Sequence, residues 1–92
     1  MNNGNPPHRP IRKETVDFRV LDDLSSVVAD PETGEVHAHN AVATAVFERC
    51  DGSMTATQIM TEVVEIFDAS AEQVAVDVEQ FLNDLTERGL VN

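Results

Sequence analysis

Apolar and polar positions along the chain change period near residue 40. Before it, Phe18-Arg19-Val20-Leu21, Ser26-Val27-Val28-Ala29 and Val36-His37-Ala38-His39 are short runs rich in apolar or β-branched side chains, the signature of strands. Asp30-Pro31-Glu32-Thr33-Gly34 lies between the second and third runs. Pro presets one backbone angle and Gly accepts positive φ, so this stretch predicts a turn that makes the two runs a hairpin. Phe18–Leu21 is expected to pair with one edge of it.

After residue 40 the period is helical. Asn40 suits an N-cap, and Val42, Val46 and Cys50 recur at four-residue spacing with Phe47 alongside, up to the stop signal Asp51-Gly52. Thr55-Ala56-Thr57-Gln58 reads as a capping box opening a second helix with the apolar face Ile59, Val63, Ile66 and Phe67. Ser70-Ala71-Glu72-Gln73 reads as another, opening a third helix with the stripe Val74, Val78, Phe81, Leu82 and Leu85. Gly89 ends it, and Leu90-Val91 are expected to close on the core. The expected fold is α+β: a three-stranded antiparallel sheet followed by three helices, in the manner of a winged helix-turn-helix.

Ninety-two residues allow one domain with one modest core and little room for a deep catalytic cleft. Residues 1 to 14, rich in Asn, Gly, Pro and basic side chains, are expected to form a disordered basic arm before a domain over 15–92. Six Lys and Arg stand against seventeen Asp and Glu, a formal net charge of -11. Four of the six cations precede residue 20, which leaves the domain strongly acidic. Such a surface repels phosphate backbones and anionic membranes and attracts basic partners. A single cysteine excludes an intramolecular disulfide, no apolar run approaches the ~20 residues of a membrane span, and no secretory signal is evident. A cytoplasmic protein is expected.

No constellation of catalytic residues emerges. Cys50 shares the register of Val42 and Val46, which points it inward as a core thiol, away from nucleophilic work. His37 and His39 share one strand face but lack a clear third metal ligand, so no metal and no cofactor are expected. A winged-helix DNA reader needs a basic recognition helix, whereas the third helix carries Glu72, Asp77, Glu79, Asp84 and Glu87 against Arg88 alone. An acyl carrier needs an Asp-Ser-Leu run at a helix start; Asp23-Leu24-Ser25 has the wrong order and Asp51-Gly52-Ser53 is followed by Met54.

Several elements in their order resemble the D proteins of pyrroloquinoline quinone biosynthesis, the PqqD family. They are Gly34 before the last strand, Asn40 opening a helix, Glu48-x-Cys50-Asp51-Gly52 closing it, Thr55-x-x-x-Ile59, and Asp77-Val78-x-x-Phe81-Leu82-x-x-Leu85-x-x-x-Gly89-Leu90. The resemblance spans Phe18 to Val91, about four-fifths of the chain. One departure is visible: the family usually has a bulky apolar residue where this chain has His39.

The resemblance implies a non-catalytic recognition element for ribosomally made precursor peptides. It would bind the leader region as a strand added between the third strand and the third helix, and present it to a modifying enzyme such as a radical S-adenosylmethionine enzyme. Carried onto this chain, Val36, His37, Ala38 and His39 would offer the strand edge. Val74, Val78 and Phe81 would form an apolar floor, and Asp77 would flank it and favour a basic peptide residue. A monomer or weak dimer is expected, since the same edge could pair with a second copy. The alternative is a winged-helix interaction or regulatory domain with a protein partner.

Overall fold

The computed structural model describes residues 8–67 and 70–92. The element order is β1 (Asp17–Val20), β2 (Ser26–Asp30), β3 (Glu35–His39), α1 (Ala41–Glu48), α2 (Ala56–Ile66) and α3 (Ala71–Glu87). The strands form one antiparallel sheet in the order β1-β2-β3, with Val28 opposite both Phe18 and His37, and Ser26 opposite both Val20 and His39. This is the expected α+β architecture.

Local chemistry sets each joint. Gly34, at φ +76°, closes the β2–β3 turn by donating its N–H to the Asp30 carbonyl at 2.8 Å. The Asp30 carboxylate accepts from the Glu32 N–H in the same turn. Asn40 Oδ1 accepts from the Ala43 N–H at 2.9 Å and starts α1. Thr55 and Gln58 form the full reciprocal capping box of α2. The box expected at Ser70 is only half made: Ser70 Oγ accepts from the Gln73 N–H, but the Gln73 side chain donates to Asp77 instead.

The core lies where the sheet meets the helices. Val28, Val46, Phe47, Cys50, Ile59, Val63, Val74, Val78, Leu82, Leu85, Leu90 and Val91 are all buried. Phe47 sits at its centre, edge-on to Phe18 with centroids 4.9 Å apart. Ser26 and Thr44, buried between β2 and α1, satisfy each other through a 2.7 Å hydroxyl hydrogen bond. Of the expected α2 face, Ile59 and Val63 are buried and Phe67 packs against the core, whereas Ile66 is exposed.

The arm expected to be disordered over residues 1–14 requires a correction from Pro10 onward; residues 1–7 lie outside the described residues. Arg12 N–H donates to the Cys50 carbonyl and Lys13 N–H to the Leu90 carbonyl, threading this segment between the end of α1 and the C-terminus. Arg12 Nη1 also donates to the carbonyls of Phe47 and Glu48, at 2.9 and 2.7 Å. These carbonyls close α1, where that of Phe47 also accepts from the Cys50 N–H at 3.1 Å, and a cation there offsets the helix-end dipoles. The Arg12 guanidinium carbon lies 5.8 Å from the ring centroids of both Phe18 and Phe47. Lys13 Nζ meets Asp30 at 2.8 Å. Gly52 is explained by the same segment: a Cβ there would come within 3.0 Å of Ile11.

Candidate peptide-binding edge

Strand β3 ends the sheet, and among the described residues no other strand pairs with its outer edge. Its side chains alternate. Val36 and Ala38 stand on the solvent face, with Val36 66% exposed. His37 and His39 point to the helix side, half-buried and buried respectively. His37 Nε2 is 3.9 Å from Glu35, and no group of three or more His, Cys, Asp or Glu among the described residues could hold a metal ion.

His39 fills the position where the resembled family usually has a bulky apolar residue. It is 9% exposed and packs edge-on against Phe47 at 5.8 Å and Phe81 at 4.9 Å, centroid to centroid. Its Nδ1 is buried with no hydrogen-bond partner among the described residues. Burial holds the imidazole below its ordinary range. His37 and Arg88 add to that depression, and Asp84 opposes it.

Beside the end of β3, the start of α1 and the middle of α3 enclose a cleft of about 370 Å³ lined by Asn40, Val42, Ala43, Asp77, Gln80, Phe81 and Asp84. Phe81 is half-buried, one face on His39 and part of its surface toward this cleft. Asp77 and Asp84 put two carboxylates on its rim. Asp84 is held by Arg88 Nε at 3.0 Å, and Asp77 accepts from Gln73.

The structure therefore brings together His39, Asp77 and Phe81 from the residues expected at the site. Val74 and Val78 are not there. Each is 2% exposed and belongs to the core, so neither offers an open apolar floor. The reason is angular: each residue turns a helix by ~100°, and the edge of the stripe carrying Phe81, not its centre, faces the cleft. Gln80 and Asp84 were missed, although Asp77, Gln80, Phe81 and Asp84 follow the i, i+3, i+4, i+7 spacing of one helix face.

The sheet followed by three helices, with its open β3 edge, sets the frame for comparison. Residues 25–91 match the family described as "Coenzyme PQQ synthesis protein D (PqqD)". The chain belongs to the PqqD family. Among solved structures it is similar to "TbiB1 in Complex with the TbiA(beta) Leader Peptide", at a TM-score of 0.75 and 18% identity over 89% of this chain and 94% of that one. It is also similar to "Lasso peptide synthetase B1 complexed with the leader peptide", at a TM-score of 0.75 and 14% identity over 92% of this chain and 99% of that one. At these identities the likeness is one of fold. A comparison with curated protein sequences gives no match. Among the described residues, no helix of this PqqD-family protein is long and apolar enough to cross a membrane.

Proposed function

We propose that this PqqD-family chain is a non-catalytic module that captures the leader region of a ribosomally synthesised precursor peptide and presents it to a modifying enzyme, such as a radical S-adenosylmethionine enzyme. The observation that carries this reading is the open edge of β3 beside the Phe81 cleft, in a chain that shares its architecture with two proteins solved with leader peptides.

The leader joins the sheet as a fourth strand. The backbone of Val36, His37, Ala38 and His39 supplies the hydrogen bonds, which are indifferent to side-chain identity. Selectivity comes from the cleft. One leader side chain covers the accessible part of Phe81, while Asp77 and Asp84 favour a basic neighbour. Val74 and Val78 act from behind, as the core that holds α3 at its distance from the sheet. The buried Cys50 thiol, pushed up to about 11 by burial, is unsuited to nucleophilic catalysis at neutral pH.

The test is fluorescence anisotropy with a labelled leader from the precursor encoded beside this protein, against a scrambled peptide of equal composition. Micromolar or tighter binding that scrambling abolishes supports the reading. Equal affinity for both peptides would reduce it to charge attraction.

A further inference from the structure

The turn joining β1 to β2 exposes three large apolar side chains within five residues: Val20 at 45%, Leu21 at 48% and Leu24 at 62%. Leu24 N–H donates to the Leu21 carbonyl at 2.9 Å, which holds the two leucines together at one tip. Leu24 is also the one non-glycine residue at positive φ among the described residues, at +70°. The other left-handed positions, Gly34, Gly52 and Gly89, carry the residue that adopts this conformation without a Cβ penalty.

The leucine side chains do not hold the turn. The Asp23 carboxylate accepts from both the N–H and the hydroxyl of Ser25, and the Leu21 N–H donates to the Ser25 carbonyl at 2.8 Å. Polar groups build the tip, and a strained, solvent-facing leucine crowns it. The turn requires a left-handed residue at position 24, where glycine would serve without a Cβ penalty, so the exposed leucine there answers to something other than the turn.

We propose that this tip docks the peptide-modifying enzyme, inserting Leu21 and Leu24 into an apolar pocket rimmed by basic side chains. This rests on the leader-binding reading above. The basic rim follows from charge: Asp22 and Asp23 flank the leucines, and no Lys or Arg occurs between Arg19 and Arg49. The same acidic pair disfavours a second copy of this chain as the occupant, since two tips would bring four carboxylates together. Position matters as well. The tip joins β1 to β2, and Ser26, two residues past Leu24, pairs with His39, so the tip stands at the His39 end of the sheet. Neighbouring strands lie ~5 Å apart, so an enzyme seated on the tip is held beside the end of the leader edge, within reach of the presented peptide.

The experiment measures binding of the purified modifying enzyme encoded beside this protein to the full chain, its Leu24→Gly variant and the Leu21→Ser/Leu24→Gly double variant. Val76→Ser, altering an exposed apolar residue on α3, serves as a control. Leader affinity by anisotropy and the thermal midpoint are recorded for each. The expected result is about tenfold or greater loss of enzyme affinity in Leu24→Gly, more in the double variant and none in Val76→Ser. Leader affinity stays the same, and the midpoint of Leu24→Gly is equal or higher because glycine relieves the strained φ. The proposal is overturned if the folded double variant binds the enzyme as wild type does, or if the wild-type chain does not bind it. It is also overturned if wild-type self-association is lost in Leu24→Gly while enzyme affinity stays. Failure of the wild-type chain to bind the leader would instead strike the leader reading, which enzyme affinity does not report.

Discussion

The imidazole of His39 stands edge-on to the ring of Phe81, with centroids 4.9 Å apart and planes at 87°. This contact joins the last residue of β3 to the middle of α3, the two elements that flank the proposed leader strand. Geometry of this kind contributes ~0.5–1.5 kcal/mol beyond burial for an aromatic pair.

Protonation of His39 should work against folding. Its pKa in the folded state is lowered from 6.5, chiefly by burial. The unfolded chain therefore binds more protons in the window just below 6.5, and stability falls as pH drops from that value through the folded pKa. Above the unfolded pKa the stability is fully present. Urea midpoints measured between pH 8 and 5 should decline for wild type and stay flatter for His39→Phe, which keeps a ring against Phe81 and cannot titrate. Equal slopes in the two proteins would assign the decline to another group.

Phe81→Ala should separate binding from stability. A fully buried Phe loses ~3–5 kcal/mol on truncation to Ala, but this ring is half-exposed, so a smaller loss of ~1–2 kcal/mol is expected. Leader affinity should drop about tenfold or more, equivalent to ~1.4 kcal/mol, because the removed surface is the apolar part of the cleft. Chemical denaturation and anisotropy on the same sample compare the two losses.

Val78 should behave as a core residue. Val78→Ala removes two methyl groups from a site 2% exposed and should cost about 2 kcal/mol. Leader affinity of the remaining folded protein should be close to wild type. Val78→Asp should unfold the chain by burying a carboxylate without a partner, which circular dichroism would show directly.

The Lys13–Asp30 pair ties the N-terminal segment to the β2–β3 turn. Lys13 holds Asp30 below the ordinary carboxylate range through a hydrogen bond and its charge. A depressed carboxylate contributes stability above its unfolded pKa that is lost as pH falls through the folded one. Lys13→Met should lower the thermal midpoint at pH 7 by more than Arg19→Met, which breaks only an exposed pair with Asp17. The gap between the two variants should shrink toward pH 3. A constant gap would locate the effect of Lys13 outside its charge.

The Cys50 thiol should be inert in the native protein. It is fully buried, donates to the Val46 carbonyl, and has a pKa raised to about 11. Reaction with a chromogenic disulfide should be slow at pH 8 and complete within the mixing time in denaturant. Rapid native labelling would mean that the end of α1 opens locally.

The helix joints were legible because their signals are local. Asn40, Thr55 with Gln58, and Gly89 each act within a few residues of their own position, and β2 and β3 show as short apolar or β-branched runs on either side of the Asp30–Gly34 turn. The N-terminal segment was not legible. Arg12 and Lys13 are ordered by carbonyls and a carboxylate distant in sequence, and no apolar period marks such partners. The Ser70 box failed through competition, since Asp77 draws away the Gln73 side chain. At the site, period alone grouped Val74, Val78 and Phe81. Which edge of that stripe meets β3 depends on the crossing of helix and sheet, which a linear pattern does not hold.

The central claim is that a leader peptide extends the sheet at β3. Amide hydrogen exchange of the full chain, with and without saturating leader peptide, tests it most directly. The account predicts new protection at outward-facing amides of residues 35–39 and across α3 near Phe81, with β1 amides unchanged. A tightly bound leader that protects β1, or leaves β3 exchanging as in the free chain, would contradict it.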